Sequence, residues 1–255
     1  MLRHVADGEV LVTGHRAVPV WDFPTRAFHW LLVLFVAVSY VTGGEDGWLF
    51  VVHTVSGYGV ALLLLFRLIW GVIGSPRSRF GDFVYGRQVV GDYVRRLLAL
   101  DPPRYVGHNP LGGWMVVLML IVLSLTVLTG LFSGEKDGAA GLFFSTVWAP
   151  GSKGLGEVHE VFANLILILA VVHVCGVLAD WWLTGENLVS AMISGAKQLD
   201  ATSASAEKPI APSWRMFVAA GLVAVVGAFL FAKTDFAALA SAKADHREET
   251  QEHDE

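Results

Sequence analysis

Five stretches of this chain are apolar enough to cross a bilayer: residues 27–43, 48–73, 111–132, 158–178 and 216–232. A helix rises about 1.5 Å per residue, so about 20 residues cross the hydrocarbon layer. The first stretch is short for this and gains from aromatic flanks. Hydrophobic residues make up 54% of the chain and charged residues 16%. A soluble globule could not hide that much apolar surface, and a disordered chain would be poor in it. The expected class is an all-α integral membrane protein. A single cysteine, Cys175, excludes an intramolecular disulfide, a CxxC metal site and covalent CxxCH haem attachment. A net charge of −5 gives no support for a nucleic-acid partner. Residues 1–20 have no apolar core before a small-residue cleavage site, so no cleavable signal peptide is expected.

Local signals mark the spans. Asp22 and Pro24 read as the start of the first helix, and Pro110 as the first turn of the third. Trp181 and Trp182 form an interfacial belt after the fourth, and the Ala/Gly-rich fifth invites close helix packing. Residues 78–100 interleave Phe80, Phe83, Val90, Tyr93 and Leu97 with arginines, as an amphipathic segment on the membrane surface would. With the N-terminus in the cytoplasm, twelve of the 18 Lys and Arg fall on the inner side, including Arg77, Arg95, Arg104, Lys197 and Arg215. Five fall outside, Lys136, Lys153, Lys233, Lys243 and Arg247, while Arg67 lies within a span. The positive-inside rule then predicts a cytoplasmic N-terminus and an external C-terminus.

Against this apolar background, four of the nine histidines stand inside spans. An ionisable residue in a span is a functional-site hypothesis by default. His29 opens the first span at inner depth, and His53 opens the second at outer depth. His159 and His173 share the fourth span. Fourteen residues separate them, about 21 Å of rise, and helical periodicity keeps them within about 40° of one face. The histidines therefore sort by depth into two pairs, His29 with His173 and His53 with His159. Two imidazoles facing across a helical bundle suit axial ligation of haem iron. The small Ala163 and Ala170 on the stripe, and Gly57 one turn after His53, leave room for a flat macrocycle. A proton path and a zinc site are the rival readings. Zinc wants its ligands converging on one point, which four histidines at two depths do not do. Arg67, fourteen residues after His53, and Arg26, three before His29, are candidates for pairing with haem propionates. Snorkelling towards lipid phosphate is the alternative for both.

The segments VWDFPTRAFHW around His29, VVHTVSGYG around His53 and the H-x13-H of the fourth span resemble the bacterial cytochrome b561 family. This family includes the b-type subunits of nickel–iron hydrogenases. The similarity extends through FRLIWGVIGSPRSRF, GHNPLGGWMVV and ENLVSAMISGAK, over roughly residues 20–198. It implies a four-helix bundle holding two b haems, His29/His173 on the cytoplasmic side and His53/His159 on the periplasmic side. Here a fifth, C-terminal span is added. The expected division is a cytoplasmic segment 1–20, a di-haem membrane domain 21–198, a linker 199–213, a fifth helix 214–233 and an acidic periplasmic tail 234–255. The implied location is the bacterial inner membrane.

The resemblance implies electron transfer between a redox partner and quinone or another haem protein. His108 and Asn109, at the cytoplasmic start of the third span, are the candidate quinone residues, with a solvated loop and a helix cap as the plain alternatives. The acidic tail, from Asp235 to Glu255, suits attraction of a basic periplasmic c-type cytochrome, or simple solubilisation. A hydrogenase-like redox subunit is the other expected partner, besides membrane lipid. An assembly subunit, a quinone-linked superoxide oxidase and a proton-coupled transporter remain alternative functions. No nucleophile, catalytic triad or phosphate loop is evident, and enzyme activity in the strict sense stays open.

Overall fold

The computed structural model describes residues 15–44, 47–133, 149–200, 211–234 and 236. Its elements in chain order are β1 (His15–Pro19), α1 (Phe23–Thr42), α2 (Trp48–Ile73), α3 (Phe80–Phe83), α4 (Arg87–Leu98), α5 (Pro110–Phe132), α6 (Ala149–Thr184), α7 (Leu188–Ser194), β2 (Ala196–Asp200) and α8 (Ser213–Lys233). Five helices, α1, α2, α5, α6 and α8, are long and apolar enough to cross a membrane. Their exposed apolar side chains fit a hydrocarbon solvent. On α6 alone Val161, Ile168, Val171, Val172, Val174 and Leu178 are all exposed. The protein is thus an all-α integral membrane protein, as its sequence predicts.

Two compact units divide the chain. One comprises residues 1–27, 70–115 and 173–216. In it, the start of α1 is fixed by Asp22. One carboxylate oxygen accepts from the Thr25 backbone N–H at 3.0 Å, an N-cap bond, and the other accepts from Trp70 Nε1 at 3.0 Å. Ser78 reaches the same carboxylate at 3.4 Å and meets Thr25 Oγ1 at 2.8 Å. All four side chains are buried. The amphipathic segment forms α3 and α4, with Tyr93 buried and Arg95 and Arg96 in the last turn of α4, where they suit the negative helix end.

The motif ENLVSAMISGAK has a structural account in this unit. Asn187 Oδ1 caps α7 by accepting from the Ser190 N–H at 2.8 Å, and Gly195 ends it in the left-handed region at φ 87°. The Gly195 carbonyl then accepts from the N–H groups of Val20 and Trp21 at 2.7 and 3.0 Å. Lys197 and Glu186 form a buried ion pair at 2.9 Å, and Lys197 also donates to the Tyr105 carbonyl. Two arginines satisfy helix C-terminal carbonyls: Arg104 bonds Thr184 O at 2.7 Å and Arg215 bonds Ile73 O at 3.0 Å. One feature departs from the purely helical expectation. β1 and β2 pair antiparallel, His15 opposite Asp200 and Pro19 opposite Ala196. The stretch expected as linker from residue 199 therefore begins inside a strand.

The second unit comprises residues 28–69, 116–172 and 217–255. Its intramembrane hydroxyls turn back onto their own helices. Thr42, Thr54, Ser124, Thr126 and Thr129 each donate to the carbonyl four residues earlier. Between helices, Ser39 and Ser56 share a 2.7 Å bond and Tyr40 donates to Asn164 at 3.0 Å. α8 meets α2 through its small residue Gly227, where a Cβ would stand 3.2 Å from Leu62, and through a 2.9 Å bond between Tyr58 and Thr234.

Candidate functional site

His53 lies in the second turn of α2, part-buried, with Phe50 stacked against it at 5.9 Å between ring centroids. Its Nδ1 is 2.8 Å from the Ser39 carbonyl on α1. His159 on α6 repeats the arrangement, with Nδ1 2.8 Å from the Thr126 carbonyl on α5. A carbonyl only accepts, so each Nδ1 is the donor, and in a neutral imidazole Nε2 then keeps its lone pair. The two rings stand 6.1 Å apart, centroid to centroid, at an interplanar angle of 87°. Two expected partners of one depth are therefore close neighbours within one unit.

Gly57 is part-buried, yet a Cβ added there would meet nothing within 4 Å. Ala163 and Ala170 are likewise part-buried on α6. Sequence reasoning missed four members of this site: the carbonyls of Ser39 and Thr126, and the glycines Gly43 and Gly130, which lie against the two imidazole edges. The only available signal was a glycine near the end of a span, which is too common to single out.

Arg67 is 2% exposed, with its guanidinium 6.0 Å from the centre of the Phe28 ring. His29 follows Phe28 on α1, and its ring meets Trp30 edge-on at 5.0 Å. His173 is part-buried on α6. In the first unit, Arg26 donates from Nη1 to the Ile193 carbonyl, and its buried Nε has no hydrogen-bond partner among the described residues. Gly195 makes room for it, since a Cβ there would stand 3.1 Å from that Nε.

His108 is more tightly engaged than a solvated loop residue would be. The His108 ring sits between Trp21 and Phe83, at 4.6 and 4.7 Å. Asn109 caps α5, its Oδ1 accepting from the Gly112 N–H at 2.7 Å, while its amide donates to Asp180 at 2.9 Å. Asp180, an acid near the end of an apolar run, also receives the Tyr93 hydroxyl at 3.5 Å. A cavity of about 250 Å³ is lined by Arg77, Tyr85, Tyr105 and His108, among others. Burial raises the Tyr85 pKa, helped by Tyr105 and Asp82, and lowers that of Arg77 against the pull of Asp82. The Tyr93 phenol is pushed up to about 12 by burial and by Asp180. The charged residues from Asp235 onwards, and most of the expected linker, lie outside the described residues.

Fold and site together define a multi-pass, all-α membrane protein with paired intramembrane imidazoles. A family model described as prokaryotic cytochrome b561 matches residues 20–195. The chain belongs to this family: it is a membrane b-type cytochrome, a haem b protein of electron transfer. Relatives include the probable Ni/Fe-hydrogenase B-type cytochrome subunit of Rhizobium leguminosarum bv. viciae, 27% identical over 75% of this chain and 93% of its own length. The protein of that name from Cupriavidus necator is 26% identical over 71% and 86%, and the hydrogenase 1 counterpart of Escherichia coli K12 is 27% identical over 69% and 88%. No solved structure matches the chain.

The Tyr93 shift has a consequence for pH. The folded chain holds this phenol proton more tightly than an unfolded chain, whose tyrosine titrates near 10. The stability it contributes is intact below pH 10 and falls as pH rises towards 12. Tyr93→Phe is expected to flatten that alkaline loss in thermal unfolding of the detergent-solubilised protein, with little change in slope at pH 7.

Proposed function

We propose that this protein carries electrons across the membrane by means of two b haems, each held by two histidines. The outer pair is His53 with His159, and the inner pair is His29 with His173. The observation that carries the reading is the geometry of the outer pair. An imidazole nitrogen binds a first-row metal at about 2.0 Å and lies about 1.1 Å from its own ring centre, so two rings sharing one ion from opposite sides have centres about 6 Å apart. The 6.1 Å separation fits, and so does the commitment of both Nδ1 atoms to carbonyls. The space at Gly57 suits the edge of a macrocycle. The inner pair rests on the depth argument and on the family resemblance.

Haem b supplies reversible one-electron exchange at its iron. The chain's own residues do the rest. His53 and His159 offer Nε2 as ligand atoms and are held in that tautomer by helix carbonyls. Ala163 and Ala170 keep the α6 stripe low. Arg26, with its buried Nε, and Arg67, buried in α2, are suited to anionic propionates. In the first unit, Tyr85, His108 and Arg77 line a cavity sized for a single ring and offer hydrogen bonds to a quinone carbonyl. Asn109 serves that region by capping α5 and holding Asp180. The names of the relatives favour a hydrogenase-like redox subunit as partner. The distribution of Lys and Arg favours a cytoplasmic N-terminus, with the bacterial inner membrane as the proposed location. The external acidic tail would then be a secondary element that attracts a basic cytochrome.

Removing one ligand of each pair tests this reading. His53→Ala and His159→Ala are each expected to lose the same single haem, seen as identical reduced-minus-oxidised difference spectra with about half the α-band. His29→Ala is expected to lose the other. Variants that lose unrelated fractions, or none, would contradict the pairing. For the quinone site, His108→Ala is expected to slow quinone reduction about tenfold, the worth of one hydrogen bond, with the haem spectrum intact. Unchanged kinetics would remove His108 from that role.

A further inference from the structure

The two imidazole–carbonyl bonds of the outer pair share a local design. In each, the accepting carbonyl belongs to a residue whose neighbour four positions on is glycine: Ser39 with Gly43, and Thr126 with Gly130. Gly130 lies within α5, where the residue at that position donates its N–H to the same carbonyl, and Gly43 lies one residue past the end of α1. A helical side chain covers the turn on its N-terminal side. A side chain there would stand where the imidazole comes in. At Gly43 an added Cβ lies 3.2 Å from His53 Cε1 and 3.3 Å from Nδ1. At Gly130 it lies 2.9 Å from His159 Cε1 and 3.0 Å from Nδ1. The first requires the ring to give by a few tenths of an ångström, and the second requires it to move. Neither contact is generic helix packing, because both glycines meet the same edge of a histidine, one within α5 and one just after α1.

We propose that Gly43 and Gly130 are positioning residues for the outer iron ligands. Each missing side chain lets an imidazole reach the second lone pair of a helical carbonyl. The resulting Nδ1–H bond sets the tautomer, aims Nε2 and raises the basicity of the ligand. A more basic ligand favours the ferric over the ferrous ion, so these two glycines hold the outer site at a lower potential than bare imidazoles would give. The inference rests on His53 and His159 being haem ligands.

The test uses the full chain in mild detergent with Gly43→Ala, Gly130→Ala and, as control, Gly221→Ala, whose Cβ meets nothing within 4 Å. Haem retention, redox midpoints and the low-temperature electron paramagnetic resonance spectrum are read for both haems. Gly130→Ala is expected to weaken retention of one haem about tenfold. It should also move that haem's midpoint to more positive values and shift its low-spin signal, with the other haem unchanged. Gly43→Ala should shift the same haem in the same direction, but less. Gly221→Ala should match the parent. If Gly130→Ala fails to assemble, Gly43→Ala decides, since its displacement is small. A parent chain with haem whose outer midpoint and retention ignore both substitutions overturns the proposal. A parent chain that holds no haem overturns the functional reading beneath it instead.

Discussion

A bilayer interior offers a polar group no water, so every donor and acceptor there must find a partner within the protein. Much of this structure follows from that constraint. The hydroxyls of Thr42, Thr54, Ser124, Thr126 and Thr129 fold back onto their own helices. Ser39 with Ser56, and Tyr40 with Asn164, spend their polarity on each other. His53 and His159 cannot fold back in that way, because an imidazole has two nitrogens on different sides. One nitrogen of each is satisfied by a helix carbonyl, and the two rings stand 6.1 Å apart, centroid to centroid. In the function proposed, what would be a liability in lipid becomes a pair of matched ligands.

The unit that contains the N-terminal segment meets the same requirement with different chemistry. It is built where helices begin and end, so its polar residues are spent on helix termini. Asp22 caps α1, Asn109 caps α5 and Asn187 caps α7. Arg104 and Arg215 satisfy the last carbonyls of α6 and α2. The buried Lys197–Glu186 pair adds charge where each partner also has the other to neutralise it. Arginine clusters that suggest orientation in the sequence are therefore also structural. A count of charges alone does not separate the two roles.

Legibility in the sequence followed the range of each interaction. The five spans were readable because apolar runs are local and additive, and their observed limits differ mainly by added turns, as in α6, which continues to Thr184. Asp22 as a helix start and Asn109 as a cap were readable from residue type and position. The His53–His159 pairing was readable because helix rise converts sequence spacing into depth, and the structure brings those rings together within one unit. The β1–β2 ribbon was not, since two five-residue strands separated by most of the chain leave no periodic trace. The Ser39 and Thr126 carbonyls were invisible for a different reason: a backbone acceptor has no residue identity. Asp180 was the one missed residue with a fair signal, an acid in an apolar run, and its partners Asn109 and Tyr93 lie far from it in sequence.

In the function proposed, paired intramembrane histidines make this family member a carrier of two haems, each with two imidazole ligands. Haem extraction and quantitation on the purified parent chain, with a low-temperature electron paramagnetic resonance spectrum of the oxidised protein, tests it most directly. Two b haems per polypeptide are expected, both low-spin ferric. A single haem, or a high-spin signal from a site with an open coordination position, would contradict it.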